Sequence, residues 1–295
     1  MTEVTAALVK VLRERTGAAL MDCKRALQAT GGDLDAAAEK MRMDGQAKAD
    51  KKAGRVAAEG TIAVARGASQ VVLAEVNCET DFVAKGDEFQ SFAQQVAEVA
   101  LRRQPIDVDA LLALEADGQA LEQRRRELVA RLGENISVRR FERIAAAGGP
   151  LGVYLHGGRI GAVVALTAGG ADLARDLALH VVASRPQYLD ADSVPAAVVA
   201  AERKVVEAQS AEAANGKPAE IVARMIDGKL RKYLGQITLL EQPFVKDPEQ
   251  SVEKLLKTQQ ACVARFVRLE VGEGIEKKRA DFAAEVMAQA RASLE

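Results

Sequence analysis

The chain has 295 residues, of which 48% are apolar, and its 41 basic and 42 acidic side chains give a net charge of −1. The length predicts roughly two domains, and the apolar fraction is sufficient to build their cores. The balanced charge argues against broad nucleic-acid binding, which requires a basic surface.

Neither the cysteines nor the hydropathy pattern indicates a metal site, a disulfide framework or a membrane segment. Cys23, Cys78 and Cys262 lie far apart without metal-ligand spacing, so we expect reduced thiols in a cytosolic protein with no metal and no cofactor. The first thirty residues alternate charged with apolar positions, and no run of eighteen apolar residues occurs. We therefore expect neither a signal peptide nor a membrane span.

Residues 1–45 are predicted to form three short helices. Apolar residues recur there at helical spacing in three stripes, and Leu20 belongs to the second stripe. Lys10 and Arg13 lie off the first stripe, which is typical of a solvated face. Met21, beside the second stripe, suits either a core position or an exposed contact.

Residues 46–58 are small and basic, and a linker is the favoured interpretation. The alternative is a phosphate-binding arm that uses the basic side chains Lys48, Lys51, Lys52 and Arg55.

A β-rich run over residues 71–76 gives way to helical spacing near residue 82, which predicts a strand followed by a helix. Thr80 and Asp81 are each suited to cap that helix. Three phenylalanines then follow at spacings of seven and three: Phe82, Phe89 and Phe92. On one helix they would share a face, so spacing alone favours a core position for the first. The alternative is an aromatic side chain exposed at the corner as an anchor for a partner.

One pattern of strand, tight turn, strand and amphipathic helix occurs twice, over residues 60–79 with 89–101 and over 149–169 with 171–184. The repetition predicts an α+β fold with two related core subdomains, at 59–140 and 141–192. Residues 136–144 are expected to open the second sheet.

The second hairpin carries His156 and Gly157 at its turn. The only other histidine in the sequence is His180, on a predicted amphipathic helix, and neither has a cysteine or carboxylate cluster at ligand spacing. An exposed turn histidine is therefore the default interpretation, because glycines at a hairpin tip chiefly supply positive φ angles.

The remaining chain is predicted to be mostly helical. Residues 193–240 contain two alanine-rich, charged helices joined by an Asn-Gly-Lys-Pro turn, which predicts an antiparallel arm. Residues 241–271 complete the core, with a short helix that begins at Asp247-Pro248 and a strand over 266–271. Residues 272–295 are predicted to form a C-terminal helical module, and a tail helix of this kind usually packs on its own domain.

Motifs of nucleotide-binding and hydrolytic enzymes are absent from the sequence. It contains no GxxxxGK[ST] loop, no GxSxG elbow and no HExxH pair. We expect neither a nucleotide site nor a catalytic site in this chain.

Several segments resemble bacterial translation elongation factor Ts, in the order expected for that family. They are NCETDFVAK, LRERTGAALMDCKRAL near the start, GENISVRR, YLHGGRIG, HVVASRP, and FVRLEVGEGIEKKRADFAAEV near the end. The resemblance covers essentially the whole chain. It implies guanine-nucleotide exchange on the GTPase elongation factor Tu, a ubiquitin-associated-like module over residues 1–45, a projecting coiled-coil arm and a C-terminal module that touches the partner.

The resemblance also implies which residues bind the partner. The signature falls on Thr80, Asp81, Phe82 and Val83, and the Asp-Phe pair of the family enters the partner's nucleotide-binding domain near its Mg²⁺ and phosphate site. Matching positions on the N-terminal module and the second hairpin imply further contacts by Lys10, Arg13, Leu20, Met21, His156 and Gly157. At Leu20 the family often has methionine, so the apolar contact is kept and flexibility is lost.

The sequence therefore predicts an exchange factor for elongation factor Tu. Two alternatives remain open at this stage. One is an RNA-associated module that uses the basic linker, and the other is an enzyme that uses His156 or Cys78.

Overall fold

The computed structural model describes residues 4–213 and 218–276 of the chain. They form a mixed α+β fold, as predicted, in which helices accompany small antiparallel sheets. The helices are α1 Ala6–Thr16, α2 Leu20–Ala29, α3 Leu34–Lys52, α4 Asp81–Ala84, α5 Asp87–Arg103, α6 Val108–Leu112, α7 Leu121–Leu132, α8 Ala171–Ser184, α9 Ala196–Ala213, α10 Ala219–Ile237 and α11 Val252–Thr258. The strands are β1 Glu59–Arg66, β2 Gln70–Cys78, β3 Glu115–Ala116, β4 Gln119–Ala120, β5 Ser137–Ala145, β6 Leu151–His156, β7 Ile160–Ala168, β8 Pro243–Phe244, β9 Asp247–Ser251 and β10 Cys262–Glu270.

The first three helices pack around a small apolar cluster that includes Leu12, Cys23 and Leu27. Asp33 caps α3 by accepting hydrogen bonds from the backbone N–H groups of Asp35 and Ala36, both at 2.9 Å. Leu20 was predicted on the same stripe as Cys23, yet it is exposed at the first residue of α2 and does not pack in the cluster.

Helix α3 continues to Lys52, so residues 46–52, predicted as part of a linker, form its last two turns. Alanine and lysine, which fill this segment, are strong helix formers. The end of the helix packs on α7, where Ala49 is buried in the first core cluster and a Cβ on Gly45 would lie 3.3 Å from the Cβ of Ala130. The basic segment is therefore largely a helix docked on the core.

The first sheet has the strand order β1-β2-β5, and all of its pairings are antiparallel. Residues 136–144 were expected to open the second sheet. This prediction is wrong, because β5 pairs with β2 from Gln70 opposite Ala145 to Asn77 opposite Ser137. The predicted boundary at residue 140 therefore falls inside a strand of the first sheet.

The second sheet has the strand order β10-β7-β6. The strand predicted over residues 266–271 joins this sheet as part of β10, which pairs with β7. Helix α8 covers β6 closely, since a Cβ on Gly152 would lie 2.0 Å from the backbone of Ala174. In both sheets a hairpin is followed by a helix, and a third strand then pairs with the second strand of the hairpin.

Alternating side chains of β2 enter two different cores. Val72, Ala74 and Val76 belong to the cluster that contains α5, whereas Val71 and Leu73 belong to a cluster shared with the second sheet. Successive side chains of a strand point to opposite faces, so β2 is covered by a helix on one face and by a sheet on the other. This double burial explains why the strand is apolar along most of its length.

Strand β7 mirrors this arrangement from the other side. Ala162, Val164 and Leu166 pack in the cluster that contains α8, and Val163 and Ala165 face the first sheet. The core is therefore built in four layers, helix, sheet, sheet and helix, with the apolar interface between the sheets at its centre.

Glu75 lies on the face of β2 that points to the second sheet, and it is completely buried. Its carboxylate accepts hydrogen bonds from Arg139 Nη1 at 3.0 Å, Arg140 Nε at 2.6 Å and the backbone N–H of Gly272 at 2.8 Å. Burial raises the pKa of Glu75, but the hydrogen bonds from Gly272 and the two arginines outweigh it, so the net pKa is lowered. The buried charge thus joins β2 to β5 and to the turn that follows β10.

The helix expected to carry all three phenylalanines is interrupted. Helix α4 ends at Ala84, Gly86 adopts an extended conformation with φ −72° and ψ 141°, and α5 then begins. Phe89 and Phe92 are buried, whereas Phe82 is 83% exposed. The core position that spacing favoured for Phe82 is therefore wrong, because the break at Gly86 removes it from the face that the other two share.

Helices α9 and α10 lie antiparallel and pack on each other, with Val206 and Leu230 buried and a 3.5 Å ion pair between Arg203 and Asp227. The following segment differs from prediction. The chain at Asp247-Pro248 is part of β9, paired with β8, and α11 begins only after Ser251, whose hydroxyl accepts from the N–H of Lys254 at 3.2 Å. Most of the predicted C-terminal helical module, residues 277–295, lies outside the described residues.

Within the described ranges, the helices are too short or too polar for any of them to cross a bilayer.

Replacing Glu75 by glutamine is expected to destabilise the fold at neutral pH by about 2 kcal/mol, because the partly exposed Arg139 and Arg140 lose a charged hydrogen-bond acceptor. The pKa of Glu75 is lowered in the fold, so its stabilisation is present above the ordinary carboxyl value of 4.5 and is lost as the pH falls below it. The difference in unfolding free energy between wild type and Glu75→Gln should therefore shrink at acid pH, as urea denaturation would show. The surface pair Glu142–Arg265 is the matched control, and Glu142→Gln should cost less than about 1 kcal/mol at any pH.

The two phenylalanines on either side of Gly86 should respond very differently to truncation. Phe89→Ala should lower the unfolding free energy by about 3–5 kcal/mol, because it leaves a cavity in the core. Phe82→Ala should change it by less than about 0.5 kcal/mol, because the ring is exposed. Equal losses from the two variants in urea denaturation would contradict this assignment.

Candidate functional site

The exposed ring of Phe82 belongs to a short connection between β2 and α5, residues 79–86, which we call the corner. Thr80 caps α4, and its Oγ1 accepts from the N–H of Val83 at 3.4 Å. Asp81, also suited to cap by sequence, is instead the first residue of α4. Val83 is partly buried against the first core, so one side of α4 is held while Phe82 points outward.

One carboxylate outside the corner fixes its backbone. Glu134 Oε2 accepts from the N–H groups of Glu79 at 3.1 Å and Thr80 at 3.0 Å, and Glu134 Oε1 accepts from the hydroxyl of Thr80 at 2.6 Å. Hydrogen bonds to a charged acceptor are about twice as strong as those between neutral groups. The residues that lead into α4 are therefore held by a side chain more than fifty positions away in the sequence.

Asn135 adds a second connection at the same place. Its N–H donates to Glu79 Oε1 at 2.7 Å, and its side-chain amide donates to the backbone carbonyls of Ala53 at 3.3 Å and Arg55 at 2.8 Å. Three segments distant in sequence meet here: the chain after α3, the corner, and the connection from α7 to β5. Neither Glu134 nor Asn135 was predicted as a site residue, although both lie in the GENISVRR segment that carries part of the resemblance.

Cys78, at the end of β2, does not have the properties of a nucleophile. Its thiol donates to the carbonyl of Thr80 at 3.1 Å, and burial, assisted by the nearby carboxylate of Glu134, raises the pKa of the Cys78 thiol to about 12. A thiol with this pKa is protonated at neutral pH, and only the thiolate is reactive. This geometry argues against an enzyme that uses Cys78.

Asp81 carries its charge on the surface of the corner. Its carboxylate pairs with Lys85 at 2.6 Å, and this hydrogen bond lowers the pKa of Asp81, with a smaller contribution from the charge of Arg159. Asp81 is therefore ionised at neutral pH.

The second hairpin meets the first sheet close to the corner. The carbonyl of Gly158 accepts from the N–H of Ile62 at 2.7 Å and from the hydroxyl of Thr61 at 3.1 Å, and Arg159 forms an ion pair with Glu59. The tip therefore docks on β1, the strand beside β2, and the charge of Arg159 also reaches Asp81.

His156 and Gly157 are exposed at this tip. The ring of His156 stacks on Tyr154 with centroids 6.4 Å apart, and Gly157 has a φ of 57°, which explains the need for glycine in the turn. The fold thus brings two of the sequence-predicted contact elements, the corner and the hairpin tip, to neighbouring positions.

The other predicted contact residues lie on the first two helices. Lys10 and Arg13 are exposed on α1, where Lys10 lies 3.9 Å from Glu14, and Leu20 and Met21 on α2 are 50% and 59% exposed. We call these four residues the N-terminal patch; they lie on different elements from the corner. The patch joins the core through the packing of α3 on α7.

His180 is part of the core and not of a catalytic or metal site. It is fully buried, its Nδ1 accepts from the N–H of Val245 at 3.1 Å, and its Nε2 lies 3.0 Å from Gln242 Oε1. Burial lowers the pKa of His180, which favours the neutral ring that these bonds require. Residues 4–213 and 218–276 contain no group of three or more histidine, cysteine, aspartate or glutamate side chains that could hold a metal ion.

Comparison with known proteins supports one family. Residues 79–273 match the family model described as Elongation factor TS, and the match begins at the first residue of the corner. Curated relatives include elongation factor Ts of Thioalkalivibrio sulfidiphilus, which is 56% identical over 98% of this chain and 99% of its own length. Elongation factor Ts of Methylococcus capsulatus is 55% identical, and that of Alkalilimnicola ehrlichii is 54% identical, each over 98% of this chain and 99% of its own length. Because the family model and full-length relatives agree, this chain belongs to the elongation factor Ts family.

Proposed function

We propose that this chain accelerates GDP release from elongation factor Tu by inserting Phe82, oriented by Asp81, beside the Mg²⁺ and phosphate site of the partner. The observation that carries the proposal is the position of Phe82. Its ring is 83% exposed, yet it stands on a corner whose backbone donates hydrogen bonds to Glu134 and whose Glu79 side chain accepts one from Asn135.

Exchange activity itself follows from membership in the family. Elongation factor Ts is the guanine-nucleotide exchange factor of the translation GTPase elongation factor Tu, and this chain has that role in protein biosynthesis. An exchange factor changes the nucleotide affinity of its partner, so it performs no chemistry of its own. We place it in the cytoplasm, where translation elongation occurs.

The mechanism is a thermodynamic coupling between two ligands of elongation factor Tu. If binding of this chain weakens GDP binding by some factor, GDP must weaken binding of this chain by the same factor, because the cycle closes. GDP then leaves through a short-lived ternary complex, and GTP displaces this chain from the empty partner in the same way.

An exposed aromatic ring on a rigid corner is well suited to this insertion. Aromatic anchors dominate the energy of many interfaces, and a ring that is already positioned loses little freedom on binding. Mg²⁺ bridges phosphate oxygens and neutralises their charge, so displacing the ion removes a large part of the nucleotide's affinity.

We assign the surrounding contacts to three surfaces that meet the nucleotide-binding domain of the partner. The corner contributes Thr80, Asp81, Phe82 and Val83, and Thr80 and Val83 act mainly by holding the backbone. The hairpin tip contributes His156 and Gly157, and the N-terminal patch contributes Lys10, Arg13, Leu20 and Met21. Exposure of the apolar pair Leu20 and Met21 supports this role, since adjacent exposed apolar side chains are typical of interfaces.

We also propose a division of the chain into functional units. Residues 1–45 act as the ubiquitin-associated-like module, and the segment 46–58 connects it to the core. The two sheet units, which share one strand topology, are duplicated subdomains, with the boundary moved from residue 140 to the end of β5 and the second completed by residues 241–271. The arm at 193–240 and the C-terminal module at 272–295 complete the assignment.

The proposal is tested by release of a fluorescent GDP analogue from elongation factor Tu, with excess unlabelled nucleotide and this protein in substoichiometric amounts. Wild type should accelerate release over multiple turnovers. Phe82→Ala should lose at least about 2 kcal/mol of transition-state stabilisation, which is roughly thirtyfold in rate. Ile106→Ala is the matched control, because Ile106 is 92% exposed and lies outside the three surfaces. A folded Phe82→Ala variant that exchanges nucleotide at the wild-type rate would overturn the insertion mechanism.

A charge placed on the N-terminal patch should separate anchoring from insertion. When this protein is titrated in excess over elongation factor Tu, Leu20→Asp is expected to raise the concentration of this protein needed for half-maximal exchange about tenfold. The reason is that an apolar contact is lost and a charge is desolvated. The maximal rate should change much less, because the corner is intact. Ile106→Asp, an equivalent change at another exposed position, should leave both values unaltered. An unchanged half-saturating concentration for Leu20→Asp would remove the N-terminal patch from the interface.

A further inference from the structure

We propose that Glu134 is a positioning residue of the exchange reaction, which holds the corner in the conformation that inserts Phe82. This inference rests on the proposed function. It assigns a role to a residue that does not itself reach the partner's nucleotide, and that acts through the backbone of Glu79 and Thr80.

The corner needs an external constraint because it is short. Helix α4 has four residues, a single turn, and isolated short helices are unstable in water. Phe82 contributes little to holding the corner in place, since most of its ring is in solvent. The direction of the ring is therefore set by the backbone of the corner.

Glu134 supplies that constraint with one carboxylate. Its two oxygens accept from the N–H groups of Glu79 and Thr80 and from the Thr80 hydroxyl, at 3.1, 3.0 and 2.6 Å. The same hydroxyl oxygen accepts from the N–H of Val83 at 3.4 Å. Glu134 thus fixes both the entry to α4 and the side chain that caps it.

The constraint is anchored in the core. Glu134 follows α7, whose Leu128 and Val129 are buried in the first cluster, and Gly133 ends that helix with a φ of 79°. The adjacent bond from the Asn135 N–H to Glu79 Oε1, at 2.7 Å, runs in the opposite direction between the same two segments. The two connections are reciprocal, so they fix the position of the corner relative to the end of α7.

Removing the carboxylate should change the kinetics in a characteristic way. The N-terminal patch and the hairpin tip still bind elongation factor Tu, so the half-saturating concentration should remain near the wild-type value. Only the fraction of complexes with the corner in the inserting conformation falls, and the maximal rate of GDP release falls with it. For this test, elongation factor Tu carrying the fluorescent GDP analogue is held at a low fixed concentration and this protein is titrated in excess over it. Under these conditions a loss of folded protein would do the opposite, raising the apparent half-saturating concentration of this protein at constant maximal rate.

The test measures both parameters in the fluorescent GDP assay for Glu134→Ala, Glu134→Gln, Thr80→Val and the double variant Thr80→Val/Glu134→Gln. Glu134→Ala should lower the maximal rate about tenfold, the loss expected for one hydrogen bond to a charged group. Glu134→Gln should lose less, because its amide oxygen still accepts from the two backbone N–H groups. In the Thr80→Val background, Glu134→Gln should lower the maximal rate little further. The Thr80 hydroxyl, which donates to a carboxylate oxygen but not to an amide nitrogen, is then absent.

Glu115→Ala is the matched control, an exposed glutamate of the same subdomain, and should leave both parameters unchanged. If Glu134→Ala does not fold, as judged by its thermal transition, the two more conservative variants decide the question. A wild-type maximal rate for Glu134→Gln and Thr80→Val would then overturn the inference. It would also be overturned if the double variant lost the full sum of the two single effects on the maximal rate. Phe82→Ala, measured in parallel, separates the hypotheses: if it loses activity while the variants at position 134 do not, the insertion mechanism stands and the role of Glu134 fails.

Discussion

The structure depends on the burial of β2 on both of its faces. Val72, Ala74 and Val76 face α5, while Val71 and Leu73 face the second sheet, so the strand is fixed by two apolar cores at once. Glu75, on the inner face, is tolerated because two arginines and a backbone N–H satisfy its charge. A strand held in this way cannot shift its register without moving apolar side chains out of both cores.

The functional corner takes its geometry from this strand. The corner begins directly after Cys78, the last residue of β2. Its backbone is then bonded to Glu134, and the side chain of its Glu79 is bonded to Asn135. The hairpin tip docks on β1, which is paired with β2 along its whole length. The two proposed contact elements therefore share one support, so a partner that binds both would meet a surface that loses little conformational freedom on binding. Phe82 is exposed to solvent in the free protein, so burying its ring against a partner can contribute to association.

The periodicity of apolar residues predicted secondary structure correctly wherever one spacing ran along one continuous helix or strand. The hairpins, α5, α8 and the strand within β10 appear where the apolar patterns placed them. Prediction failed where a helix break or a contact with a distant segment of the chain changed the local structure. Phe82 has the spacing of a core residue, yet Gly86 ends the helix between it and Phe89. Residues 46–52 have the composition of a linker, yet contacts with α7 stabilise them as helix, and Ser251 rather than Asp247 proved to be the cap of α11.

The sequence by itself determined the mixed α+β class, the repeated hairpin and helix pattern, and, through segments such as NCETDFVAK and GENISVRR, the family. These properties depend on local spacing and on residue identity. Only the tertiary structure decided that β5 belongs to the first sheet, that Phe82 is exposed, and that Glu134 binds the corner. The physical reason is that strand pairing and long-range hydrogen bonds join residues more than fifty positions apart. A one-dimensional pattern carries no information about which of these distant groups will satisfy one another.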